Sequence, residues 1–183
     1  ADAWNKGIKL SKNNWILILN SGDILEKDIL RKINSLLLNE NLIYTFSAKI
    51  VNKNYDFIKL NIPKPKMLPF GMYIPHNFTF VPIEHYKKNG LYKNLPLSMD
   101  YEWFLRNYQF IRKKISSNPD LIVGSFPLGG KSDVYAFLGF VFNLKYQFKY
   151  LSPIYIPFLI FNFFLMNLKQ LIFYLKRIYN NEK

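Results

Sequence analysis

The chain has 183 residues, half of them apolar and 18% aromatic, which is enough for one domain with a real core and excludes a disordered tail. It contains no cysteine, which excludes disulfides and thiolate metal sites, and its two histidines, His76 and His85, are too few for a histidine-rich zinc site. A net charge of +13 calls for an anionic partner: nucleic acid, acidic lipid headgroups or a phosphorylated ligand.

In chain order, residues 1–10 read as a helix with a weak apolar side. Residues 15–20, nearly all apolar, read as a buried strand that runs into the polar knuckle Asn20-Ser21-Gly22-Asp23. From Glu26 a helix is expected, because Ile29, Leu30, Ile33, Leu36 and Leu37 recur at three- and four-residue steps. "LIYTFSAKIV" and "YDFIKLNI" follow as two strands joined by a turn at Asn52-Lys53-Asn54, then a proline-rich loop over 63–75. "NFTFVPI" is a short strand and "KKNG", 87–90, a turn. A helix is predicted from Ser98, its N-cap, with Tyr101, Phe104, Leu105, Tyr108 and Ile111 on one side. "DLIVGSF" is a strand, "PLGGKS" a loop, and the remainder helical and apolar. Strands alternating with helices imply an α/β domain.

Three groups of residues carry chemistry. In an open α/β sheet ligands bind beyond the carboxyl ends of the strands, so Asp23 is placed to act as a hard oxygen ligand for Mg²⁺ or Mn²⁺. The same residue would equally serve as the cap of the helix that follows. In "LPLSMDYEWFLR" the carboxylates Asp100 and Glu102 open an amphipathic helix, whose dipole and free N–H groups keep a carboxylate ionised, as a general base must be. The alternative is plain dipole complementation at a solvated helix end. "FPLGGKS" offers a mobile loop but lacks the spacing of a phosphate-cradling P-loop.

Taken in order, "DAWNKGI", "WILILNSGD", "PHNFTF", "NGLYKNLPLSMDYEWFLR" and "FPLGGKS" resemble the family 2 glycosyltransferases of the GT-A fold, above all the bacterial branch that builds exopolysaccharide and lipopolysaccharide. The resemblance covers roughly residues 1–135. It implies the C-terminal part of a GT-A domain with a mixed sheet over 1–134, followed by an apolar, basic helical tail over 135–183. The nucleobase-holding strands of that family would precede Ala1, so the chain is expected to be a fragment or half of a split protein. The resemblance further implies that Asn5, Lys6 and Gly7 lie beside the nucleotide together with Ser21, Gly22 and Asp23. Asp23 would hold the divalent cation and Asp100 would be the base. His76, Glu102 and the loop Gly129-Gly130-Lys131-Ser132 would line the acceptor side. Ser21 and Met99 stand where many relatives have acids, Asn77 where Gln is frequent, and Asn13 where Gly is frequent.

The implied reaction is inverting transfer of a sugar from a nucleotide-diphosphate donor to a glycan or lipid-linked acceptor. A non-catalytic fragment of such an enzyme, or a basic module binding a membrane surface or nucleic acid, are the alternatives. Aromatics concentrate toward the C-terminus in apolar runs instead of interleaving with lysines, which favours a membrane over nucleic acid. Residues 151–168 are almost uncharged, interrupted by Pro153 and Pro157, and flanked by Lys145, Lys149, Lys169, Lys176 and Arg177. That pattern suits a segment lying on an anionic leaflet, with a membrane span or a buried subdomain as alternatives. The expected location is the cytoplasmic face of the bacterial inner membrane.

Overall fold

The computed structural model describes residues 1–36, 39–130 and 135–161. Its centre is β3 (Ile43–Val51), flanked by β6 (Ile115–Pro127) on one edge and by two shorter strands on the other. β5 (Thr79–Pro82) pairs with the first half of β3 and β4 (Phe57–Asn61) with the second half. The short strands β1 (Trp15–Ile16) and β2 (Ile24–Leu25) close the two ends, on β5 and β6 respectively. Among the described residues β3 and β6 run parallel and the other pairings are antiparallel, so the sheet is mixed.

β3 alternates as a strand buried on both faces should. Tyr44, Phe46 and Ala48 face a cluster with Ile29 and Ile33 of α2 (Ile29–Asn34) and with Phe78, Phe80 and Val123. Ile43 belongs to the larger opposite cluster, built on α1 (Asp2–Leu10), α3 (Ile83–Asn89), α4 (Met99–Arg106) and α5 (Tyr108–Ile111). Thr45 and Ser47, polar and fully buried, are satisfied: Thr45 by the Thr79 hydroxyl, Ser47 by donating to the Pro119 carbonyl. That last bond sits where the β3–β6 register jumps from Phe46↔Asn118 to Ser47↔Ile122, so the bulge leaves no buried hydroxyl unpaired.

The structure differs from the expected elements in physically explicable ways. Of the run 15–20, only Trp15 and Ile16 pair as a strand. The helix expected from Glu26 starts at Ile29, because the Glu26 backbone N–H bonds to Val123 and its carboxylate pairs with Lys49. Residues 87–89 end α3 instead of forming a bare turn, and Gly90, at φ 79°, terminates it. β6 begins at Ile115, through a polar stretch that the apolar pattern does not announce. Ser98 occupies the N-cap position of α4, but its hydroxyl makes no capping bond and its φ is 53°. Leu37 lies outside the described residues.

The segment after Tyr135 begins with α6 (Ala136–Tyr150), which is docked on the body. Gln147 Nε2 donates to the Pro69 carbonyl and to the Tyr101 hydroxyl, and the Tyr146 hydroxyl donates to Leu97 O. The opposite side of α6 leaves Phe137, Leu138, Val141 and Phe148 exposed. Among the described residues no helix is long and apolar enough to cross a membrane.

Gly124 fixes how closely β2 approaches β6. A Cβ at that position would lie 2.3 Å from the Ile24 carbonyl oxygen and 2.4 Å from the Phe78 ring. Gly124→Ala is therefore expected to lower stability by about 1–3 kcal/mol and to displace the Asp23 knuckle beside Ile24. A urea midpoint equal to wild type would contradict this.

Candidate functional site

The carboxyl ends of the parallel pair β3 and β6 lead into Lys53 and Tyr55 on one side and Leu128, Gly129 and Gly130 on the other, and all five line one cleft of about 660 Å³. Asp23, His76, Asn77, Ser98 and Asp100 line it as well. An adjoining lobe of about 670 Å³ shares His76, Asn77, Ser98 and Asp100 and extends to α6.

Asp23 is positioned by a turn that needs glycine. The Asp23 N–H donates to the Asn20 carbonyl at 3.1 Å, and Gly22 between them has φ 91°. Asp23 Oδ2 accepts from the Asn20 N–H at 2.7 Å and from Asn77 Nδ2 at 3.0 Å, while the Tyr55 hydroxyl donates to the Gly22 carbonyl at 3.2 Å. The carboxylate thus belongs to the knuckle itself. It does not cap α2, whose N-cap position is held by Asp28. Burial is the strongest influence on Asp23 and raises its pKa above the ordinary 3.8, against the pull of Asn20, Asn77 and the nearby His76. A carboxyl desolvated in this way gains from an added cation.

His76 is buried between the two acids. Its Nε2 is hydrogen-bonded to the Tyr92 hydroxyl at 2.9 Å, and the Tyr92 hydroxyl to that of Tyr86 at 2.8 Å. Trp4 stacks at 4.9 Å between ring centres. Burial dominates and holds the imidazole below its ordinary 6.5, while the charges of Asp100 and Asp23 pull the other way. Asp100 sits in the first turn of α4, which points its N-terminus into the cleft. His76 was placed on the acceptor side from sequence; in the structure it borders both lobes.

The remaining expected site residues divide sharply. Ser21, Gly129 and Gly130 line the cleft, and Gly22 shapes it. Lys131 and Ser132 lie outside the described residues. Of the α1 trio, Asn5 forms a clamp instead, its Nδ2 donating to the Tyr92 carbonyl at 2.7 Å and its Oδ1 accepting from the Tyr92 N–H at 3.1 Å. Lys6 pairs with Asp2 on the exposed face, Gly7 has open space around it, and it is their neighbour Trp4 that borders the cleft. Glu102 lines neither lobe. Two positions along a helix rotate a side chain by about 200°, so Glu102 leaves Asp100 on the other side. It is 1% exposed and bonded to Arg106 Nε at 3.1 Å, to Lys93 Nζ at 2.9 Å and to the Tyr150 hydroxyl at 2.7 Å. Burial raises its pKa, but Lys93, Tyr150 and Arg106 together outweigh that and leave it below the ordinary value. Glu102 ties α4 to α6 and to the loop after α3. Trp4, Lys53, Tyr55 and Tyr92 were not singled out from sequence; helical phase would have separated Glu102 from Asp100, whereas nothing local marks Lys53 or Tyr92.

Among the described residues no group of three His, Asp or Glu side chains converges as a metal site. The donor set still fits a divalent cation shared with a phosphate ligand. Asp23 Oδ1 receives no hydrogen bond from a described residue, and Mg²⁺ commonly takes one or two carboxylates with substrate phosphates completing its shell. No protein-family model and no curated protein matches the chain.

The depressed His76 has a signed consequence. A group whose folded pKa lies below its unfolded value contributes stability that is present above 6.5 and is lost as pH falls through the folded value. Wild-type stability should therefore rise between roughly pH 5 and 7, and His76→Gln should flatten that slope, His85, also held low by burial, supplying the residue of it. Urea midpoints across this range decide it; an unchanged slope in the variant would show that His76 is not buried neutral.

Proposed function

We propose that this chain is a metal-assisted, inverting glycosyltransferase of the GT-A type, moving a sugar from a nucleotide-diphosphate donor to a glycan or lipid-linked acceptor at an anionic membrane surface. The observation that carries the reading is that Asp23 and Asp100, far apart in sequence, border one cleft across a buried imidazole, with a second lobe adjoining at Asp100. The ordered motifs that resemble family 2 glycosyltransferases supply the same pair.

Each residue has a distinct task in this reading. The Asp23 lobe takes the donor: Asp23 holds the Mg²⁺ or Mn²⁺, and Lys53 offers a cation toward the diphosphate. A divalent cation there supplies Lewis-acid neutralisation of the departing diphosphate. Asn20 and Asn77 hold the Asp23 carboxylate in place. Asp100, between the lobes, accepts the proton of the acceptor hydroxyl as its oxygen bonds to the anomeric carbon and the bond to the diphosphate breaks on the opposite face. His76, kept neutral by burial, adds no positive charge that would weaken Asp100 as a base. The Gly129-Gly130 loop lies over the donor side.

Transfer is tested with nucleotide-sugars and Mn²⁺, following nucleoside-diphosphate release. Asp100→Asn should reduce turnover by ~10²–10⁴-fold while leaving metal-dependent donor binding intact. Near-normal turnover in that variant removes Asp100 from the base role, and a chain that binds no nucleotide in the presence of Mn²⁺ removes the reading as a whole.

The membrane component rests on the outer side of α6, where Phe137, Leu138, Val141 and Phe148 are exposed alongside Lys145 and Lys149, with Ile154, Phe158 and Phe161 exposed beyond it. Apolar side chains interleaved with lysines match an interface of acyl chains and anionic headgroups. The intact chain is expected to sediment with phosphatidylserine-containing vesicles, to be only partly released by raised salt, and to lose binding in Phe137→Asp/Val141→Asp. Equal sedimentation of that variant would place the contact elsewhere.

A further inference from the structure

β4 leaves its large apolar side chains in water. Phe57 is 60% exposed, Ile58 45%, Leu60 39% and, just past the strand, Ile62 44%. Neither core cluster includes any of the four. One edge of β4 pairs with β3; among the described residues no other strand pairs with it, and no further backbone hydrogen bond reaches residues 57–62. The hairpin is nonetheless well formed. Asn52 Oδ1 accepts from the N–H groups of Asn54 at 2.8 Å and Asp56 at 2.9 Å, and the Tyr55 hydroxyl donates to the Gly22 carbonyl. An ordered apolar strand with a free edge is a template for another strand.

The alternation along that edge selects the partner. Ile58-Lys59-Leu60-Asn61-Ile62 alternates apolar and polar residues, and its pattern reads the same in both directions about Leu60. Two copies paired antiparallel about a two-fold axis at Leu60 oppose Leu60 to Leu60, Ile58 to Ile62 and Lys59 to Asn61. Apolar then meets apolar on one face, and no two lysines meet. Two residues further out, the same register sets Asp56 opposite Lys64, so opposite charges face each other at both ends. A register centred on Lys59 opposes two lysines, and one centred on Asn61 sets Ile58 against Lys64. The pattern therefore singles out one register. Each copy carries +13, so association works against long-range repulsion, and salt that screens this repulsion strengthens the contact. Salt has the opposite effect on lysines held by anionic lipid or nucleic acid.

We infer that the chain pairs with a second copy of itself through β4, the two sheets joining edge to edge about Leu60. This holds whether or not the chain transfers sugar. Sedimentation velocity on the intact chain without lipid, over a concentration series, should show a monomer–dimer equilibrium that tightens as NaCl rises from about 0.05 to about 0.5 M. Leu60→Lys sets two ammonium groups face to face at an exposed position and should weaken the dimer by about tenfold or more, with a thermal midpoint near wild type. The chain has no cysteine, so an introduced thiol reports the register directly. Under mild oxidation Leu60→Cys should cross-link to its own copy, because directly opposed Cα atoms lie about 4.5–5.5 Å apart. Asn61→Cys should not, because its own copy lies on the diagonal at about 7–8 Å. Should Leu60→Lys not fold, this pair of cysteine variants decides alone. The dimer should survive Phe137→Asp/Val141→Asp, which separates it from association through the outer side of α6. A chain that stays monomeric at every concentration overturns the inference, as does cross-linking as fast at 61 as at 60. A dimer unaffected by Leu60→Lys, or lost in Phe137→Asp/Val141→Asp, also overturns it. So does a chain monomeric in solution whose vesicle binding is lost in Leu60→Lys, which would make β4 a membrane contact.

Discussion

The hydrogen bond between His76 and Tyr92 is the point through which the candidate site is held together. His76 lies buried beside two acids, where burial favours the neutral ring and the Tyr92 bond fixes it. Tyr92 does the fixing, and Tyr92 is itself held from two directions. Asn5 clamps its backbone N–H and carbonyl from α1, across 87 residues of sequence. From α4, the Trp103 indole donates to the Gly90 carbonyl, and Arg106 donates to the carbonyls of Asn89 and Leu91, which pins the loop that carries Tyr92. The aromatic cluster of Trp4, Tyr86, Tyr92 and Trp103 closes around these polar bonds and keeps water from competing for them.

A division of labour follows along α4. Its first turn presents Asp100 to the cleft, while its opposite side builds the frame: Glu102 binds Lys93, Arg106 and Tyr150 and so connects the helix to α6. Buried ion pairs of this kind contribute little net stability over apolar packing, because desolvation offsets most of the attraction, but they fix relative placement. Here they set the distance between Asp100 and the inner wall of α6. The two lobes therefore meet at a group whose own helix is anchored on both sides.

Much of the frame was legible in the sequence where local pattern and burial agree. β3 carries Ile43, Tyr44, Phe46, Ala48, Ile50 and Val51 buried with only Thr45, Ser47 and Lys49 between them, and α4 has a strong apolar side; both occur close to their expected places. The first half of β6 was not legible, since the expected strand begins only at Asp120, and Ser116, Ser117 and Asn118 before it carry no apolar pattern and are strand because β3 lies beside them. Within the site, Asp23 and Asp100 stood out because the one closes an apolar run and the other opens an amphipathic helix. Asn5 was named through the family resemblance alone, and its side chain serves Tyr92. Tyr92 and Lys53 went unseen because their roles arise from contacts made across the whole chain, and no neighbour in sequence hints at them.

The bulged parallel pairing of β3 with β6 has a consequence for how the molecule is made. Ser47 and Pro119, bonded across it, are separated by 72 residues. A ribosome adding 5–20 residues per second needs roughly 4–14 s to produce the second after the first. β4 and β5 emerge earlier and occupy one edge of β3, but the other edge stays open for that interval, with Phe46 and Ile50 beside it. A nascent chain in this state displays an apolar strand with unpaired amides, the kind of surface that holdase chaperones and like chains both recognise. Loop-closure entropy resists the pairing until β6 is complete, so the cleft is among the last features to form.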